Sequence, residues 1–138
     1  SEFKKFDLIT PNEKEARFSL GDQDSNIGSL AYSLISNVKC KFLILKLGEK
    51  GILFNKNSNK FYFVDSFVKR NVDPVGAGDA LLAYASLSYG ITKSKAKSAL
   101  LGCIAAACEC EKDGNIPIKP SDVLRIIKEY KILFESIK

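Results

Sequence analysis

The chain has 138 residues, 46% of them apolar and 27% charged, enough for one domain with its own core. Its net charge of +5, from 21 basic and 16 acidic residues, is spread along the chain without a dense basic tract, which argues against a nucleic-acid partner. No apolar run is long enough to cross a bilayer, and the absence of histidine excludes every Ser-His-Asp or Cys-His mechanism within the chain.

In chain order, Phe6–Ile9 predicts a short strand. Thr10 then reads as a helix cap, with Pro11 at the first helical position and Glu13 closing a capping box. That helix carries Lys14 to Leu20 and stops at Gly21. A second helix is expected from about Ile27 to Ser36, with Leu30, Leu34 and Ile35 on its apolar face. Cys40–Leu45 reads as a buried strand, Lys46–Gly51 as a turn, and Ile52–Phe54 with Phe61–Val64 as a β-hairpin. Phe67 and Val68 lead into a glycine-containing loop. Long helices follow over about Ala77–Tyr89, Lys93–Cys110 and Pro120–Ser136, with Gly90 and Gly114 as terminators. Alternating strands and helices predict α/β layering in a single domain over residues 1–138.

Methionine is absent, and the chain is expected to be a piece of a longer protein. The four cysteines (Cys40, Cys103, Cys108 and Cys110) match no zinc spacing and read as packed, reduced thiols. A reducing compartment, the cytoplasm, is therefore expected.

The chemistry concentrates in Asp73-Pro74-Val75-Gly76-Ala77-Gly78-Asp79, where a loop with two glycines opens a helix. Glycine permits φ > 0 and close backbone approach to a phosphate. Amides at a helix start attract anions, and the helix dipole adds to the attraction. Asp79 beside them is a candidate base for a hydroxyl proton; an acid that merely stabilises the helix dipole is the alternative. Asn12 and Glu15, three apart, could orient water around Mg²⁺ or touch phosphate, or could simply cap a helix. Gly48-x-x-Gly51 closes a strand at the end where ligands gather in α/β sheets, or is a plain turn. Lys46 reaches phosphate or solvent. The small residues Gly102 to Cys110 admit either a neighbouring helix or a flat ring.

These pieces occur in an order that resembles the ribokinase-like (PfkB) carbohydrate kinases. The matching elements are Thr10-Pro11-Asn12-Glu13-Lys14-Glu15-Ala16, Lys46-Leu47-Gly48-Glu49-Lys50-Gly51, and Asp73 to Ala80, the family's D-x-x-G-A-G-D signature. The resemblance implies the C-terminal part of a ribokinase-like layered fold: a mostly parallel sheet with flanking helices and a β-hairpin. It implies ATP-dependent phosphoryl transfer to a hydroxyl of a sugar or sugar phosphate, with ATP and Mg²⁺ as cofactors. Asp79 would be the base, and Gly76, Ala77 and Gly78 the anion hole. Asn12, Lys46, Gly48 and Gly51 would line the nucleotide site, with Glu15 near Mg²⁺. Asp73, Val75 and Gly114 fall where some members hold K⁺ or another monovalent cation. Lys46 stands where the family has Thr, and Ile104 where many members place Asn near the adenine. The resemblance covers only the C-terminal half of the family pattern, and most sugar contacts belong to the other half. It therefore implies a piece that self-associates or pairs with the missing half, and that is inactive alone. A non-catalytic nucleotide or anion sensor, or an assembly fragment, stays open as an alternative.

Overall fold

The computed structural model describes residues 6–57, 59–66, 76–111 and 118–137. The chain runs β1 (Leu8–Ile9), α1 (Glu13–Leu20), α2 (Ile27–Val38), β2 (Phe42–Lys46), a 3₁₀ turn (Gly48–Lys50), β3 (Ile52–Asn57), β4 (Lys60–Val64), α3 (Ala77–Thr92), α4 (Lys95–Glu111) and α5 (Pro120–Ile137). Phe67, Val68, Asp73, Pro74, Val75 and Gly114 lie outside the described residues.

Helix α1 is capped by Asn12 rather than Thr10. The Asn12 side chain accepts from the Glu15 N–H at 2.7 Å, and the Glu15 carboxylate accepts from the Asn12 N–H at 3.0 Å. Both Thr10-x-x-Glu13 and Asn12-x-x-Glu15 fit the capping-box pattern. The second wins because the chain is still extended at Pro11. Its carbonyl accepts from the Lys46 N–H at 2.9 Å, and Asn12 forms a parallel bridge with Lys46. Glu13 instead pairs with Arg17 one turn on, at 3.0 Å. Gly21 ends the helix in the left-handed region, as its place after Leu20 predicts.

The strands form one sheet in the order β1-β2-β3-β4. The sheet is mixed: β1 and β2 run parallel, while β2–β3 and β3–β4 are antiparallel. Connection length decides this. Helices α1 and α2 carry the chain from β1 back to a parallel β2, whereas the short turns after β2 and β3 permit only antiparallel neighbours.

Strand β2 is buried on both faces, and its side chains alternate between them. Leu43 and Leu45 join Ala16, Leu30, Ala31, Leu34 and Ile35 under α1 and α2. Phe42 and Ile44 join Ile52, Phe54, Leu81, Ala85, Ala99 and Cys103 under α3 and α4. Asn55 is buried at the end of the β2–β3 ladder. Its Oδ1 accepts from the Leu43 N–H at 2.8 Å, and its Nδ2 donates to the Lys41 carbonyl at 3.1 Å. The side chain thus completes hydrogen bonds that the backbone register leaves open.

Helices α3 and α4 meet closely at Gly102. A Cβ there would stand 3.1 Å from the Leu81 carbonyl oxygen and 3.1 Å from the Ala85 Cβ. Helix α3 continues through Gly90, which sequence reading takes as its terminator. It ends at Lys93, whose N–H caps the Tyr89 carbonyl in left-handed backbone. The Tyr89 ring packs on Phe42 at 4.9 Å, so tertiary contact carries the helix past a residue of poor helical propensity. Replacing Asn55 by Leu removes the partner of the buried Leu43 N–H and a partner of the part-buried Lys41 carbonyl. Urea unfolding of Asn55→Leu is expected to give a stability about 2 kcal/mol lower than that of the native chain.

Candidate active site

A cleft of about 390 Å³ opens between the end of β2 and the N-terminus of α3. Its strand side is built by Asn12, Lys46, Gly48, Glu49, Gly51 and Ile52, and its helix side by Ala77, Gly78, Leu81, Cys103, Ala106 and Cys110, with Ser66 beside them. Residues from five separated sequence segments therefore share one space.

The strand side depends on a tight turn. The Leu47 N–H donates to the Gly51 carbonyl at 2.8 Å, and the Gly51 N–H to the Gly48 carbonyl at 3.1 Å. Gly51 has φ 106°, and a Cβ on it would lie 2.0 Å from the Val64 carbonyl oxygen. No side chain fits there, so β3 can leave the turn directly against the end of β4 only if residue 51 is glycine.

The helix side depends on Gly76. It caps α3 at φ 88°, with no side-chain cap hydrogen bond, and the first internal bond runs from the Ala80 N–H to the Gly76 carbonyl at 2.9 Å. The N–H groups of Ala77, Gly78 and Asp79 precede that bond at the positive end of the helix dipole. Lys46 reaches the same turn: a Cβ on Gly78 would stand 3.1 Å from its Nζ. On the other side, a Cβ on Gly76 would stand 3.1 Å from a Glu109 carboxylate oxygen. An ammonium thus flanks one end of the helix's first turn and a carboxylate the other.

Of the residues singled out from sequence, Asn12, Lys46, Gly48, Gly51, Ala77 and Gly78 are brought together in the cleft. Gly76 adjoins it as the cap of α3. Asp79 is exposed in the first turn, next to Gly78 in the chain but not itself in the wall. Glu15 lines a neighbouring open cleft of about 770 Å³, which shares Asn12, Lys46 and Gly48 with the first. One oxygen of Glu15 and the Asn12 Oδ1 are held by the helix cap. Asp73, with Val75 and Gly114, lies outside the described residues. Ile104 is not in the cleft: it is buried with Cys108, Val123 and Ile126 beneath α5.

Sequence reading missed Leu81 as a cleft residue, and left open whether the tract holding Cys103, Ala106 and Cys110 meets a helix or a ligand. The signal was present, because 103, 106 and 110 follow helical spacing within a tract of small side chains. All four cysteines are buried and unbridged. Burial pushes the Cys103 thiol up to about 12. The thiolate is the reactive form, so at pH 8 its population is about 10³-fold below that of an ordinary thiol. Alkylation of Cys103 by iodoacetamide, followed by mass spectrometry, is expected to be slower than that of an unstructured cysteine peptide by that order. Gly51→Ala, forced into the Val64 carbonyl, is expected to lower the melting temperature severely or abolish folding.

Comparison with known proteins places this geometry in a family context. The pfkB family of carbohydrate kinases matches residues 3–122. The bifunctional protein HldE of Geobacter metallireducens is 27% identical over 120 residues, covering 85% of this chain and 24% of that protein. Ribokinase from Thermotoga maritima superposes with a TM-score of 0.78 at 27% identity, over 91% of this chain and 43% of that one. Arabidopsis thaliana ribokinase, complexed with ribose and ATP, has the same fold at 23% identity and a TM-score of 0.75, over 88% of this chain and 41% of that one. The chain spans about a quarter of the length of the curated relatives it matches.

Proposed function

Because the chain belongs to the pfkB family of carbohydrate kinases, we propose that it is the nucleotide-binding and phosphoryl-transfer portion of an ATP-dependent sugar kinase. The observation that carries this reading is the shared cleft, in which the opening amides of α3 face a strand end bearing Lys46 and Asn12. The wall of Leu81, Cys103 and Ala106 suits the flat apolar face of a nucleotide base. The missing side chain at Gly78 lets the Lys46 ammonium approach the opening turn of α3, and a phosphate oxygen suits that charge.

In this reading the N–H groups around Gly76, Ala77 and Gly78 hold the migrating phosphoryl group. They are fixed in place beforehand, so they stabilise developing negative charge without reorganising. Asp79 takes the proton from the attacking hydroxyl of a sugar or sugar phosphate, and the resulting alkoxide bonds the γ-phosphorus as its bond to the bridging oxygen breaks and ADP leaves. Gly48 leaves open space beside the strand end for the nucleotide, and Gly51 keeps the turn tight against β4. Asn12 keeps its Nδ2 group for the phosphates, since its Oδ1 caps α1.

Among the described residues no cluster of three acidic, cysteine or histidine side chains could hold a metal ion. Mg²⁺, bound with the nucleotide, would neutralise phosphate charge, and Glu15 would help to hold it. Sugar contacts are assigned to residues outside this chain, through pairing with the rest of the fold or with another copy. The isolated chain then binds ATP without turning over a sugar, because nothing positions the hydroxyl. Four buried, unbridged thiols suit a reducing compartment, and we assign the chain to the cytoplasm on that ground. No helix among the described residues is long and apolar enough to cross a membrane.

Two measurements test the reading. Mg-ATP is expected to raise the melting temperature of the chain, and an unmoved transition removes the nucleotide site. In an active kinase that includes this chain, Asp79→Asn is expected to lower kcat by about 10²–10⁴-fold while ATP affinity stays near the native value. ATP-induced stabilisation with no phosphoryl transfer in that longer protein would favour a nucleotide sensor instead.

A further inference from the structure

Only Lys93 and Ser94 separate α3 from α4, so the two helices pack as antiparallel neighbours. Gly102 meets Leu81 and Ala85 within this seam. Moving toward the end of α4 therefore moves toward the start of α3. Glu109 lies seven residues past Gly102, two turns along the same face of α4. There it meets Gly76, the cap of α3. A Cβ on Gly76 would stand 3.1 Å from one Glu109 carboxylate oxygen and 3.5 Å from both Cδ and Cγ, so the end of the side chain lies over the glycine. Glu109 is half-buried, and among the described residues no cation pairs with it. It lines neither the 390 Å³ cleft nor the 770 Å³ cleft, so it flanks the turn without standing in the path of a ligand. Gly102 and the buried Ala105 on the same face of α4 are small, and nothing in the packing calls for a carboxylate at its end.

We propose that Glu109 is a built-in antagonist of phosphate binding at the opening turn of α3. Its carboxylate supplies negative charge to that turn while the cleft is empty, and it opposes the phosphates of a nucleotide once the cleft is filled. This rests on the kinase-site reading above and adds an affinity-setting residue to it. The turn has no side-chain cap hydrogen bond of its own. A carboxylate close to a helix N-terminus is attracted by the dipole. A phosphate is attracted by the same amides, so the two anions share one positive end and repel each other across it. Asp79, exposed in the same turn, adds to the negative charge, and the Lys46 ammonium near Gly78 offsets part of it. Glu109 thus sets how much of the turn's attraction is left for a ligand. A bare nucleoside feels little of this, because it brings no anion to the turn.

The test is isothermal titration calorimetry and thermal melting of the native chain and of Glu109→Gln, with Mg-ATP and, separately, with adenosine. Glutamine keeps the shape of the side chain and removes its charge. Glu109→Gln is expected to bind Mg-ATP about three- to tenfold more tightly and to change adenosine affinity less than about twofold. NaCl at about 1 M, where the screening length is about 3 Å, is expected to shrink the gain for Mg-ATP. Without ligand the variant is expected to melt below the native chain, since the helix dipole loses its partner. An Mg-ATP affinity that is unchanged or weaker, or that tightens no more than adenosine affinity, overturns the antagonism while leaving the nucleotide site standing. A ligand-free variant that melts at or above the native chain overturns it as well. A native chain that binds neither ligand brings down the kinase-site reading, and the antagonism with it.

Discussion

Lys46 donates its backbone N–H to the Pro11 carbonyl, one residue before the cap of α1. This bond extends the parallel pairing of β1 and β2 beyond the last residues of β1, and it does so at the point where β2 ends and its turn begins. Three consequences meet there. Asn12 is held beside Lys46. The capping box of α1 forms one residue beyond Pro11 and not at Thr10. The turn that carries Gly48 and Gly51 starts from a fixed anchor. A parallel pair contributes modest stability per residue, so its importance here is positional. It joins two segments more than thirty residues apart and gives the cleft its strand side.

The opposite side is electrically uneven. Lys46 approaches the first turn of α3 near Gly78, and Glu109 approaches it near Gly76. An incoming anion meets attraction at one end of the turn and repulsion at the other. That asymmetry gives the turn a direction, in addition to the general attraction of its amides. The absence of side chains at 76 and 78 allows both groups to come so close. The two glycines thus set the electrostatics of the site as well as its backbone shape.

Much of this was legible in the sequence where one residue type was physically required. Gly76 adopts left-handed backbone at the start of a helix, and Gly51 faces a carbonyl oxygen with no room for a methyl group. Gly76 could be anticipated from its place at a helix start, and Gly51 from its place in a turn between two strands. The cap of α1 was ambiguous because two overlapping capping boxes fit, and only the pairing with β2 selects Asn12. Gly90 misled because its low helical propensity is a weak local preference that the packing of Tyr89 on Phe42 outweighs. The β3–β4 hairpin was legible in its two apolar runs, but a mostly parallel sheet was expected, and the short turn after β2 makes β2–β3 antiparallel as well. The small-residue wall was the least legible part. Whether Cys103 or Ile104 faces the cleft depends on the rotation of α4 about its own axis, and that rotation is set by the contact of Gly102 with Leu81 and Ala85. A neighbour in space, not in sequence, makes the choice.

That seam makes the two sides of the cleft unequal in stiffness. With Gly102 pressed against the backbone of α3, neither helix can slide along the other without steric overlap, so the opening turn of α3 keeps its place as a rigid jaw. The facing jaw ends in a four-carbon side chain with several rotatable bonds. Adjustment to ligands of different length therefore falls to the strand side. The fold in this way pairs a helix braced along its neighbour with a strand end that carries a long, rotatable side chain.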